Sequence, residues 1–179
     1  MATTIEKTTL AGGCFWCIES AFNSVKGIES AVSGYMGGET DNPTYEKVCS
    51  GTTGHAEVVQ LSFDPAVISF REILEIFFAL HNPTQLNRQG NDTGTQYRSG
   101  VFFHTEEQKQ AALAIIDEIT QDEVWPDPVV TEVTAMSEFH LGEDLHQGYF
   151  NRNPENQYCQ AVVSPKLAKF KKTFAAKLK

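Results

Sequence analysis

The chain has 179 residues, 41% hydrophobic and 21% charged, with a formal net charge of −9. That length and composition suffice for a self-contained core. No apolar run approaches the roughly 18 residues of a membrane-spanning helix, so none is expected in these 179 residues.

Residues 3–12 read as a strand stopped by Gly12-Gly13. Glu6 and Lys7 stand where a secretion signal would need an apolar stretch, so the expected compartment is the cytoplasm. Residues 14–22 predict a helix, with Ile18, Ala21 and Phe22 at helical spacing. A strand is expected over 28–35, then a loop rich in Gly, Asn, Pro and Thr. Residues 57–63 alternate, with Val59, Leu61 and Phe63 on one face and Val58, Gln60 and Ser62 on the other. Ser69 and Glu72 form a capping-box signature before the apolar stripe Phe70, Ile73, Leu74, Phe77 and Phe78. Strands are expected at 100–104 and 129–135. Between them Thr105 and Gln108 cap a helix carrying Ala111, Ala112, Ile115, Ile116 and Ile119. Ser164-Pro165 opens a last helix whose Leu167, Phe170, Phe174 and Leu178 face inward.

That last segment also holds the charge asymmetry. Six of the 14 basic residues are lysines at 166, 169, 171, 172, 177 and 179, whereas all 23 acidic residues precede Ser164. Residues 1–163 therefore carry 8 − 23 = −15, which argues against nucleic acid as the main partner. The lysines read as a solvated helix face or a docking patch.

The order strand, helix, strand, strand, helix, strand predicts an α/β (α+β) fold. Its core is a ferredoxin-like split βαβ plait of two layers, a mixed sheet with helices on one face. One domain is expected over 1–179, as a monomer. Residues 82–97 and 137–159 carry little periodic signal, and long polar stretches of that kind are often functional loops.

The densest chemical signal is Gly12-Gly13-Cys14-Phe15-Trp16-Cys17. Two glycines let the backbone turn and place Cys14 at a helix start, where free amides and the helix dipole favour a thiolate. Only ~3% of an unperturbed thiol is ionised at pH 7, and half ionisation needs ~2 kcal/mol. A helix terminus supplies that only in its best geometry, so further help is expected. The bland alternative is a buried cysteine acting as a small hydrophobe. Four cysteines are too few for a disulfide scaffold. Cys14 and Cys17 form C-x-x-C, which fits a dithiol couple or half of a zinc site. Cys49, Cys159 and His55 would have to complete the zinc site, and no second C-x-x-C or His pair at ligand spacing is present. Cys49, within Tyr-Glu-Lys-Val-Cys, is expected to be a buried structural thiol. Phe15 and Trp16 suit an apolar slot for a methyl-sulfur group, or plain core packing. No phosphate cradle or dinucleotide fingerprint occurs, so no cofactor is expected and electrons should arrive through thiols.

Gly-Cys-Phe-Trp-Cys resembles the active-site segment of the peptide methionine sulfoxide reductase A family. So do four later stretches, taken in order. They are Gly34-Tyr35-Met36-Gly37-Gly38; Asn42-Pro43-Thr44-Tyr45 through Val48-Cys49-Ser50-Gly51; Gly54-His55-Ala56-Glu57-Val58; and Gln89-Gly90-Asn91-Asp92 with Gly94-Thr95-Gln96-Tyr97-Arg98-Ser99. Residues 146–159 are similar to the family's tail. The resemblance implies a mixed α/β plait and reduction of the S epimer of methionine sulfoxide, free or in proteins. It implies Cys14 as nucleophile, Glu57 as acid, and Tyr45 and Tyr97 as hydrogen-bond donors to the sulfoxide oxygen. Asp92 would be a further polar member or a turn residue. A sulfenic acid on Cys14 would be resolved by Cys17 or Cys159, and the disulfide recycled by thioredoxin. The chemistry is coherent, because oxide leaves only when protonated. Two other readings stay open at this point: a thioredoxin-like disulfide oxidoreductase, and a non-enzymatic thiol or zinc module.

Overall fold

The chain runs β1 (Glu6–Gly12), α1 (Phe15–Asn23), β2 (Ile28–Met36), α2 (Tyr45–Cys49), β3 (Ala56–Phe63), α3 (Phe70–Leu80), β4 (Arg88–Gln89), β5 (Asp92–Thr93), β6 (Ser99–Phe103), α4 (Glu106–Gln121), β7 (Glu132–Ala135), β8 (His140–Leu141), α5 (Tyr149–Arg152) and α6 (Ser164–Thr173). The computed structural model describes residues 4–41, 43–89, 92–153 and 155–178. The sequence readings that fall on Thr3, Asn42, Gly90, Asn91, Pro154 and Lys179 lie outside the described residues.

The main sheet has the order β7-β6-β1-β3-β2-β8. β1 pairs antiparallel with β3 and β6, and β3 pairs antiparallel with β2. This is the expected plait: β1 and β2, joined through α1, run the same way with β3 between them. Two additions extend it. β7 follows α4 and lies parallel to β6, and β8 pairs antiparallel with the outer edge of β2.

The period-2 pattern of β3 decides which side holds the core. Val59, Leu61 and Phe63 are buried in the main cluster, to which α1, α3, α4 and α6 all contribute. Val58 points to the opposite face and joins a small cluster of Ala11, Met36, Ala56 and Phe102, with Phe139 packed against it. Glu57 shares the phase of Val59, so the strand carries a carboxyl group onto the helix-covered face.

Helix ends follow local chemistry. The Ser69 hydroxyl accepts the Glu72 amide at 3.1 Å, and the Glu72 carboxylate accepts the Ser69 amide at 3.3 Å, completing the capping box of α3. At α4 only half of the expected reciprocity forms. Thr105 accepts the Gln108 amide at 3.2 Å. The Gln108 side chain instead accepts from His104 N–H and donates to the Lys7 carbonyl, tying α4 to β1.

Four expectations need correction. The strand expected over 129–135 starts only at Glu132, because the Val130 amide donates to the Pro83 carbonyl and leaves the ladder. Ser164 and Pro165 open α6 as expected, but helical backbone does not start there: a π-helical turn, Cys159–Val163, runs straight into α6. Leu178 lies beyond α6 and bridges to Val25. The loop after β2 contains the short helix α2, capped by Thr44, and five residues are too few to show a period.

Candidate active site

The site is built at the end of β1. Gly13 turns the chain with φ +91°, and a Cβ there would lie 2.8 Å from Gln89 Cγ, so only glycine fits without displacement. Cys14 follows as the extended residue just before α1, with φ −61° and ψ 124°. The backbone N–H of Phe15 donates to Glu57 Oε1 at 3.2 Å, which brings β3 under the first turn of α1.

Glu57 is 1% exposed, and its second oxygen has no hydrogen-bond partner among the described residues. Burial pushes its carboxyl up to about 8; the Phe15 amide pulls the other way, and the Asp92 charge adds to the rise. The neutral carboxyl is therefore the favoured form at pH 7. Cys14 is also pushed well above the ordinary thiol range, by burial first and then by the Glu57 charge. The Trp16 amide and the Tyr158 hydroxyl oppose that shift. The helix start therefore does not deliver a resting thiolate: desolvation outweighs the dipole.

Tyr45 and Tyr97 come from α2 and from the turn Thr95–Tyr97, and both face Glu57. Both hydroxyls reach the sulfur of Cys49, which is half-buried beside Glu57. Cys49 thus belongs to the polar cluster, which corrects the expectation of a buried structural thiol. Its place follows from α2, whose single turn presents Tyr45 and Cys49 on one side. Asp92 accepts a hydrogen bond from the Tyr158 hydroxyl, itself beside Cys14, so it has a partner within the cluster.

The two aromatic neighbours of Cys14 separate. Phe15 is 1% exposed and packs on Tyr35 and Tyr45, with ring centroids 5.8 and 6.2 Å apart. Trp16 is half-buried, stacks on Tyr149 at 4.0 Å, and donates its indole N–H to His146 Nδ1 at 3.1 Å. Burial lowers the His146 pKa, so the ring is neutral and can accept.

Residues 140–158 supply members that no motif named individually: Glu143, His146, Tyr149 and Tyr158. Glu143 accepts the Tyr45 amide at 3.0 Å and the Tyr35 hydroxyl at 2.9 Å. Buried Glu19 of α1 accepts the Gly148 amide on both oxygens, at 3.0 and 2.9 Å. Gln147 bridges the Ser33 amide and carbonyl like a strand partner. The available signal was a high density of aromatic and acidic residues in a stretch without periodicity. His55, a family-like position, is occupied by the Gly38 amide and the Thr40 carbonyl and shapes the loop after β2.

Residues 6–178 match the family model described as Peptide methionine sulfoxide reductase. The chain belongs to that family. It is 52% identical over 171 residues to the peptide methionine sulfoxide reductase MsrA of Polynucleobacter asymbioticus, covering 96% of this chain and 90% of the relative. Reduced Mxr1 from Saccharomyces cerevisiae superposes with a TM-score of 0.81 at 36% identity, covering 88% of this chain and 91% of that one. A second Mxr1 structure, in complex with Trx2, matches with a TM-score of 0.57 at 26% identity, covering 83% and 89%.

In this peptide methionine sulfoxide reductase all four cysteines are free thiols. Cys17 is 3% exposed; burial pushes it up to about 11, and Lys166 acts in the opposite direction. Cys159 is fully buried in the π-helical turn next to Tyr158, and burial raises it too. Both candidate resolving thiols thus stand close to the site in sequence or space, and both are protonated at rest.

Proposed function

We propose that the chain reduces the S epimer of methionine sulfoxide, free or in proteins, through Cys14, with Glu57 as the proton donor. The observation that carries this reading is the pair itself: a thiol at the head of α1, and a buried carboxyl held neutral by its surroundings, joined through the Phe15 amide. Cys14 sulfur attacks the sulfoxide sulfur while Glu57 gives its proton to the sulfoxide oxygen. Tyr45 and Tyr97 donate hydrogen bonds to that oxygen, and Asp92 holds Tyr158 against Cys14. Glu57 regains the thiol proton, methionine leaves, and Cys14 carries –S–OH. Trp16 lines the slot for the substrate methyl group, with Phe15 as its backing.

Cys17 or Cys159 then displaces water from the sulfenic acid to give a disulfide. A thioredoxin-type dithiol reduces that disulfide, in line with the Mxr1–Trx2 complex. The dithiol supply fits a cytoplasmic enzyme, and one domain spanning 1–179 carries the reaction. Among the described residues no helix is long and apolar enough to cross a membrane.

The test is incubation with dithiothreitol and a racemic methyl sulfoxide, followed by chiral separation of what remains. Consumption of one enantiomer is expected. Equal loss of both, or none, overturns the reading.

A further inference from the structure

Tyr45 must hold its hydroxyl steady, yet it sits on α2, a helix of little more than one turn. Of the five residues of α2, Val48 alone is buried, and the far end is tied by Gln96, which donates to the Cys49 carbonyl at 3.4 Å. Thr44 accepts the Lys47 amide at 3.2 Å, whereas the Tyr45 amide has no carbonyl of the helix to bond. That amide is fastened from another part of the chain. Glu143, in the turn after β8, accepts it on both carboxylate oxygens, at 3.3 and 3.0 Å.

The same carboxylate also reaches the side of the acid. Its Oε1 accepts the Tyr35 hydroxyl at 2.9 Å. Tyr35 lies opposite Glu57 in the β2–β3 register, and its ring packs on Phe15, whose amide holds Glu57. Glu143 thus spans the two groups that must meet at one oxygen. It grips the backbone of Tyr45 directly and braces Glu57 through Tyr35 and Phe15. The turn that follows it ends at His146, whose ring lies 4.3 Å from that of Tyr45. Burial works against the charge of Glu143, yet the Tyr45 amide and the Tyr35 hydroxyl hold its carboxyl below the ordinary range. It is therefore an ionised acceptor, whose hydrogen bonds are stronger than neutral ones.

We propose that Glu143 is a positioning residue for the reduction step, fixing Tyr45 so that its hydroxyl meets the sulfoxide oxygen where the Glu57 proton arrives. This rests on the reading of Tyr45 as a donor to that oxygen. Glu143 touches no reacting atom, so its effect passes through Tyr45. One oriented donor to a developing oxygen charge is typically worth about 10²–10³ in rate. Tyr97 supplies a second donor, so a displaced Tyr45 should cost only part of that, about tenfold. A contact realised mainly in the transition state lowers the maximal rate and leaves substrate affinity nearly unchanged.

The experiment is a reductant-free single turnover over a range of methionine sulfoxide concentrations, with methionine release followed. It compares wild type, Glu143→Ala, Glu143→Gln, Tyr45→Phe, and Tyr45→Phe combined with Glu143→Ala. In Glu143→Ala the maximal rate should fall about tenfold, with the half-saturating concentration changed by less than about threefold. Glu143→Gln should recover most of the rate, because its carbonyl oxygen can still accept where Oε1 does. In the Tyr45→Phe background, adding Glu143→Ala should slow release by less than about twofold, since the hydroxyl it positions is gone. If Glu143→Ala fails to fold because the buried Tyr35 hydroxyl loses its acceptor, Tyr35→Phe with Glu143→Leu removes both ends of that bond and replaces it in the cycle. Wild-type release without the Glu143 carboxylate, or equal slowing with and without the Tyr45 hydroxyl, overturns the role of Glu143; a slowed Tyr45→Phe then leaves Tyr45 in place. A wild-type rate in Tyr45→Phe overturns Tyr45 as the oxygen donor, and the Glu143 proposal with it.

Discussion

Glu57 and Phe15 are joined by one hydrogen bond, from the Phe15 amide to Oε1 at 3.2 Å, and that bond is too little to keep the carboxyl ionised. Burial dominates and lifts it to about 8. Glu57→Gln should therefore slow methionine release in a single turnover by roughly 10²–10⁴, the usual range for general acid–base catalysis. A rate within a factor of about two of wild type would remove Glu57 from the role of acid.

The same shift has a pH signature. The folded-state value of Glu57, about 8, is above its ordinary 4.5, so its neutral form is favoured in the native protein. Its contribution to stability is fully present below 4.5 and is lost as pH rises through about 8. Relative to wild type, Glu57→Gln should therefore gain stability as pH rises across that window. Urea denaturation at pH 5 and pH 9 checks it. A constant difference between the two proteins at both values contradicts the assignment. The wild-type single-turnover rate should fall in parallel above pH 8, as the acid form disappears.

Cys14→Ser should abolish methionine release, because no other sulfur stands at the head of α1 beside Glu57. Cys49→Ser should keep the chemical step within about threefold, since a serine oxygen still accepts from the Tyr45 and Tyr97 hydroxyls as the sulfur does. Quenched-flow measurement of methionine separates the two. Activity surviving in Cys14→Ser, or lost in Cys49→Ser, would reverse their roles.

What the sequence made legible was whatever local chemistry determines. The Ser69–Glu72 box, the alternation of β3 and the Gly12-Gly13 stop are short-range patterns, and each forms where it was read. The four central strands followed from element order, because a split βαβ has few ways to close. Long-range pairing was not legible. Glu143 reaches Tyr35 and Tyr45, and Glu19 reaches Gly148, across 98 to 129 residues of chain with no period to announce the contacts. The resting state of Cys14 was not legible for a related reason. A helix start is visible in the sequence, whereas the burial that overrides it, and the Glu57 charge that β3 adds to it, exist only in the folded chain.

Trp16 offers its ring beside Cys14, with Tyr149 stacked behind it. A sulfur–aromatic contact is worth about 0.3–1.5 kcal/mol, so Trp16→Ala should raise KM for a methyl sulfoxide between about two- and tenfold. The effect on kcat should be much smaller than that of Glu57→Gln. Steady-state kinetics decide it, and an unchanged KM would leave Trp16 as a packing residue only.

Gly13 and Gly51 both have positive φ, +91° and +78°, yet their surroundings differ. A Cβ on Gly13 meets Gln89 at 2.8 Å, and a Cβ on Gly51 meets nothing within 4 Å. Gly13→Ala should cost about 1–3 kcal/mol and also displace Cys14. Gly51→Ala should cost only the backbone part, about 1–2 kcal/mol, with activity kept. Denaturation curves and specific activity of the two variants test the contrast. Equal losses in both would show that backbone conformation alone, without the Gln89 contact, governs the turn.

The order of resolution follows from what each thiol must move. Cys17 lies one helical turn from Cys14, at a separation that suits a disulfide and closes a very small loop. Cys159 is held in the π-helical turn, with its amide on Asn156 and its neighbour Tyr158 on Asp92, so its attack requires that turn to open. Cys17 should therefore act first, with Cys159 receiving the bond afterwards. Cys17→Ser should form one sulfenic equivalent per Cys14 and lose most of its thioredoxin-driven turnover. Cys159→Ser should form the first disulfide at the wild-type rate. If Cys17→Ser recycles normally and Cys159→Ser does not, the turn opens faster than the buried Cys17 ionises, and the order is reversed. If both single variants recycle normally, each thiol substitutes for the other, and only the double variant shows the defect.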